Sequence, residues 1–212
     1  VSMSHSFGAA VNGGGQRSVN WEEPDNLAAA QPLMRMQNDK FIARVSGTPT
    51  AAAGSFDSAG FSATSTGASG HDFNYLALKF GGRSVSLFGF DTPTAPGSQS
   101  YSTPGFRPQF ALIIGSNLEA ENTTASGTND LYGGLSFNIA SVAEQWSAQW
   151  RYDPGSDPTD NASLVRTGIG SPSHAAMSAC LGTLTFDADG FDINWSAVQG
   201  TAKKFFALCV SG

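Results

Sequence analysis

Charge is scarce in this chain. Only 13% of its 212 residues are Asp, Glu, Lys or Arg, and the net charge is −6. The few bases are scattered, so no basic face is expected for the phosphates of a nucleic acid. Glu, Lys, Leu and Arg are also too few for a helical bundle. Long apolar runs are missing: the longest, such as 110–114 and 205–210, fall far short of the ~20 residues of a bilayer-spanning helix. No membrane partner is expected. The opening stretch "VSMSHSFGAAVNGGGQ" has neither the basic region nor the apolar core of a signal peptide, which predicts synthesis in a cytoplasm. Cysteine is down to Cys180 and Cys209, with no CxxC spacing for zinc. Their apolar contexts, "SACLGTLTF" and "FFALCVSG", predict two buried free thiols rather than a disulfide.

What is plentiful is glycine (25 residues), phenylalanine (15), Ser, Thr and Ala, with hydrophobic residues at 40%. That mixture is too aromatic for disorder. It suits an all-β protein, in which Gly and Asp punctuate turns and aromatics fill the space between sheets. The predicted fold is a β-sandwich of jelly-roll or similar type. The run "FALII" (110–114) has strand length and no polar break, which predicts burial on both faces. In the last run, "KKFFALCVSG", Phe206, Leu208 and Val210 alternate with Phe205, Ala207 and Cys209, predicting a central strand. "SNLEAENTTASGTND" reads as a polar surface loop. Only "NLAAAQPLMRM" (26–36) has helical composition, and Pro32 cuts it short.

The chain also repeats itself. At an offset of 130, "FDSAGFSATSTGASGHDFNYLALKFGG" (56–82) lies over "FDADGFDINWSAVQGTAKKFFALCVSG" (186–212) with eight identities in 27 positions. Average residue usage would give about two. The same offset pairs Ser6-Phe7 with Ser136-Phe137, Ala10 with Ala140 and Pro24 with Pro154. The repeat divides the chain into a complete module, 83–212, and a partial copy, 1–82, without a counterpart of 83–130. A truncated sandwich leaves strand edges and apolar faces open. The first copy is therefore expected to take strands from the second, to be completed by a neighbouring subunit, or to lean on the full module as a smaller lobe.

The acids of "FDADGFD", namely Asp187, Asp189 and Asp192, suggest a calcium loop. An EF-type loop needs an acid at its twelfth position, and counting from Asp187 that residue is Val198. The sister passage keeps only Phe56-Asp57-x-x-Gly60-Phe61 against Phe186-Asp187-x-x-Gly190-Phe191. Those residues are what a tight turn needs: an Asp to cap the backbone, a Gly free to take positive φ, and flanking aromatics to pack. The turn reading is preferred, and no metal or cofactor is expected. No catalytic site emerges either. The histidines are His5, His71 and His174; Ser173 adjoins His174, but there is no G-x-S-x-G elbow. Glu119, Glu121, Asp130, Glu144 and Asp153 fall mostly in polar loops, with no spacing that singles out an acid pair. "NGGGQR" (12–17) lacks the Lys and the helix of a phosphate cradle. One stripe stands out: Trp146, Ala148, Trp150 and Tyr152 share a strand face at period two. Flat aromatic faces stack on sugars, although strand aromatics more often fill a core.

The order "GFRPQFALIIGS", "SFNIAS", "FDADGFDINWSAVQGTAKKFFALCVSG" resembles a module recurring in uncharacterised virion structural proteins of tailed bacteriophages and related phage-like elements. There, similar segments run "GF-x-P-x-x" into an apolar strand and close with "GF-x-x-x-W" and an aromatic-rich "ALxxG" strand. "HDFNYLALKFGG" in the first copy is similar to the same closing strand. The resemblance covers about 105–212 and 56–82, and its motifs are structural rather than catalytic. It implies a non-enzymatic virion component of the tail, tail tip, baseplate or head surface, with other virion proteins and copies of itself as partners. A carbohydrate-binding module for host attachment is the alternative, and a glycan hydrolase a third.

Overall fold

The computed structural model describes residues 2–24, 33–41, 50–66, 76–126, 131–139, 145–152, 161–165, 169–170 and 180–212. Among them there is no helix; every regular element is a strand, and all the pairings are antiparallel. In chain order they are β1 (Ser2–Val11), β2 (Gly15–Pro24), β3 (Leu33–Gln37), β4 (Thr50–Phe56), β5 (Phe61–Thr66), β6 (Val85–Asp91), β7 (Gly97–Tyr101) and β8 (Pro108–Ser116). There follow β9 (Thr124–Ser126), β10 (Leu131–Ile139), β11 (Gln145–Tyr152), β12 (Asn161–Val165), β13 (Ile169–Gly170), β14 (Leu181–Phe186), β15 (Phe191–Ala197) and β16 (Lys204–Ser211). No helix of the described residues is long and apolar enough to cross a membrane.

A six-stranded sheet, β12-β11-β10-β8-β16-β6, forms the middle of the molecule. A four-stranded sheet, β13-β14-β15-β7, packs on one face. The two are tied by ribbons that bend from one sheet to the other: β6 pairs with β16, and β7 with β15. Between them lies a core of Phe88, Phe90, Ala111, Ile113, Phe205, Ala207 and Cys209 against Tyr101, Leu184, Phe186, Phe191, Ile193 and Trp195. Its aromatics interlock at tilted and edge-on angles, with ring centroids of Phe90 and Tyr101 4.5 Å apart and those of Trp195 and Phe205 5.9 Å apart. Each such ring buried in full stabilises the fold by roughly 1.5–3 kcal/mol.

The opposite face of the same sheet carries a second core. Leu87, Ile114 and Phe206 meet Val19, Trp21, Met34 and Met36 of a third sheet, β1-β2-β3-β9. β16 is therefore central, with alternate residues committed to the two cores, as its unbroken apolar run requires. β8, beside it, sends Ala111 and Ile113 one way and Ile114 the other.

Two expectations change. The helical composition of 26–36 does not produce a helix over its second half: 33–37 is β3, because alternation puts Met34 and Met36 into the core while Arg35 faces away. The polar loop after β8 is not wholly irregular either. Thr124–Ser126 adds to the edge of β3, satisfying backbone groups that an edge strand would leave open. The third sheet, with β1, β2 and β3 from the first 82 residues, thus takes its fourth strand, β9, from farther along the chain. A polar clasp fixes the same junction. Arg17 pairs with Glu121, Asn38 donates to Glu121 (2.8 Å), and the Asn122 N–H donates to the Met36 carbonyl (2.7 Å).

Candidate functional site

Both copies of the Phe-Asp-x-x-Gly-Phe passage are hairpin turns, β4–β5 and β14–β15, closing on Phe56 opposite Phe61 and Phe186 opposite Phe191. In the first, Asp57 Oδ1 accepts from the N–H groups of Ala59 and Gly60, both at 2.8 Å. In the second, Asp187 Oδ1 accepts from Asp189 (3.1 Å) and Gly190 (2.6 Å). The Asp57 and Asp187 N–H groups donate to the Gly60 and Gly190 carbonyls at 2.9 and 3.1 Å. The carboxylate so engaged is a backbone cap. The glycines need a different explanation from the one expected, since neither takes a positive φ. At Gly190 a Cβ would collide with the Tyr101 carbonyl, so β7 passes too close for any side chain; at Gly60 the same position is open space.

Among the described residues no group of three or more His, Cys, Asp or Glu is placed to hold a metal. Of the candidate acids, Glu119 accepts from Lys203 Nζ (2.8 Å) and Thr201 Oγ1 (2.9 Å), and the lysine beside it holds its carboxyl below the usual range. That leaves it ionised where a general acid would need a proton. Glu121 is spent on the clasp with Arg17. Asp130, Glu144, Asp153, His71, Ser173 and His174 lie outside the described residues, and so does the side chain of His5. Cys180 and Cys209 are free and buried. Burial pushes both thiols up, Cys209 to about 12, which removes the thiolate a nucleophile needs.

The aromatic stripe is the surface that remains. On β11 the polar residues point inward: Gln145 and Ser147 are buried, and Gln145 reaches across the sandwich to both backbone groups of Leu184 (2.6 and 2.9 Å). Trp146, on the other face, belongs to neither core and is 36% exposed. The amide that grips Leu184 dictates this orientation, because turning the indole inward would bury it only by expelling Gln145 and leaving Leu184 unpaired. Trp150 and Tyr152 also belong to β11, but their side chains lie outside the described residues.

The chain matches no known family model, no curated protein and no solved structure.

Other large apolar side chains also reach solvent: Phe7, Phe56, Leu76 and Leu78. The hairpin polarity of β11 is hard to read from sequence, since alternation is symmetric and both faces of "QWSAQWRY" were open to either assignment.

Proposed function

We propose that this protein is a non-enzymatic structural component of a bacteriophage virion, in the tail, tail tip, baseplate or on the head surface, acting by assembly with other virion proteins and with itself. The observation that carries the reading is the exposure of Phe7, Phe56, Leu76, Leu78 and Trp146, on a chain in which Asp57 and Asp187 are spent on caps and Asp39, Asp91, Glu119 and Glu121 on ion pairs. Large apolar side chains exposed at the surface favour contact with other proteins over chemistry. The resemblance of the closing-strand motifs to phage virion modules supplies the class of partner. Analytical ultracentrifugation should give a defined oligomer, and antibodies to the chain should label intact virions. A monomer absent from virions would overturn the reading.

Carbohydrate binding is the second reading, favoured by the exposed Trp146. An indole face of this kind stacks on a pyranose ring. On a glycan array Trp146→Ala would then lose binding at least tenfold with the circular dichroism unchanged. Equal binding by the variant removes this reading.

A further inference from the structure

Segment 76–80, "LALKF", is unusual for its exposure. Leu76 is 81% and Leu78 62% exposed, and Ala77 and Lys79 beside them are exposed as well. The 130-residue offset lays this segment over 206–210 of β16, the strand at the centre of the molecule. In that position β16 has β8 on one side and β6 on the other. Both of those strands come from the stretch 83–130, for which the first copy has no counterpart. The first copy thus keeps a closing strand whose partners it lacks.

The outer edge of β6 is where such a strand can pair. β6 ends the six-stranded order among the described residues, with β16 on its inner edge only. Its start is firmly anchored: Ser84 and Ser211 exchange backbone and side-chain hydrogen bonds at 2.9 Å, and Arg83 Nη1 donates to the Ser211 carbonyl at 3.0 Å. Only Gly81 and Gly82 separate the segment from this anchor. Of the two, Gly82 alone has a positive φ, 71°, and the Arg83 N–H lies 3.5 Å from the Phe80 carbonyl. A positive φ at the second central residue alone is the pattern of an unprimed turn, which splays its flanking strands where a hairpin needs a primed one. The turn directs 76–80 away from the β6 of its own chain.

We propose that 76–80 is an exchange strand that adds antiparallel to the outer edge of β6 in a second copy of this chain, with Leu78 opposite Val85 and Leu76 opposite Leu87. The repeat and the proposed pairing agree on which residues share a face. The repeat aligns Leu76, Leu78 and Phe80 with Phe206, Leu208 and Val210, and Phe206 and Leu208 pack in the core shared with the third sheet. Pairing with β6 places the same three residues on the face of Val85 and Leu87, and Leu87 belongs to that core. Ala77 and Lys79 then lie beside Ser86 and Ser84 on the other face, where an ammonium stays solvated. That lysine also keeps the added strand from templating another on its far side. The contact deepens the assembly reading by naming self-association as one of its interfaces.

The test uses the full chain. Leu78→Cys and Val85→Cys chains are mixed, refolded together and oxidised, and run on a non-reducing gel; the two native thiols are buried and give little background. Cross-strand cysteines opposite one another are within disulfide reach. The expected product is a mixed dimer formed at the Leu78→Cys/Val85→Cys junction. Leu78→Asp, a substitution at an exposed position, should raise the self-association constant for dissociation at least ~10-fold with circular dichroism unchanged. A double variant that cross-links only within its own chain overturns the exchange, as does an oligomer without the mixed cross-link. In the latter case assembly itself stands, whereas a monomer at all concentrations sinks both.

Discussion

At the residue scale, two glycines in the same motif are there for different reasons. Gly190 sits against the Tyr101 carbonyl, whereas a Cβ at Gly60 meets nothing. Gly190→Ala should therefore destabilise the fold by about 1–3 kcal/mol, the usual cost of forcing atoms into a packed site. Gly60→Ala should fall within about ±1 kcal/mol and on the stabilising side, since it restricts the unfolded chain at no steric cost. Urea midpoints of the two variants compare them directly, and equal losses would show that the turn conformation, not the approach of β7, requires the glycine. The identity of the motif was legible in the sequence through its repetition. The reason for one of its glycines was not, because Tyr101 is distant in the chain.

At the scale of elements, β16 is the strand on which both cores depend. Its alternation was readable from "FFALCV", since a strand apolar on both faces has to be covered on both. What covers it was not readable. Phe206 is fully buried against Val19, Trp21 and Met34 from the first 82 residues. Phe206→Ala should cost about 3–5 kcal/mol, while Thr185→Ala, on the exposed side of β14, should stay within about ±0.5 kcal/mol. A chemical-denaturation series settles the ranking. A loss below ~1 kcal/mol at Phe206 would mean that the second core contributes little and the third sheet is loosely attached.

At the scale of the whole molecule, the repeat boundary near residue 82 is not a boundary in the packing. One core draws from both sides of it, β9 crosses to the third sheet, and Arg17, Asn38, Glu121 and Asn122 clasp the junction. Such a molecule should unfold in one cooperative step. Tryptophan fluorescence, to which Trp21 and Trp195 in the two cores contribute along with Trp146 and Trp150, should give the same urea midpoint as far-ultraviolet circular dichroism. Two separated transitions would instead make the first 82 residues an independent lobe.

The sequence by itself determined the all-β class, the central last strand, the two hairpin turns and the burial of both thiols. Each of these rests on local pattern: alternation, an Asp-x-x-Gly spacing, or an apolar neighbourhood a few residues wide. Tertiary structure decided which face of each strand points inward, how the sheet of the first 82 residues is covered, and where apolar side chains stay in water. Alternation is symmetric, so a strand such as β11 does not state which of its faces is the buried one until Gln145 finds Leu184 39 residues away. The exposure of Leu76 and Leu78 is of the same kind, since their segment matches β16 at Ala77 and Leu78 in sequence but has no paired strand among the described residues.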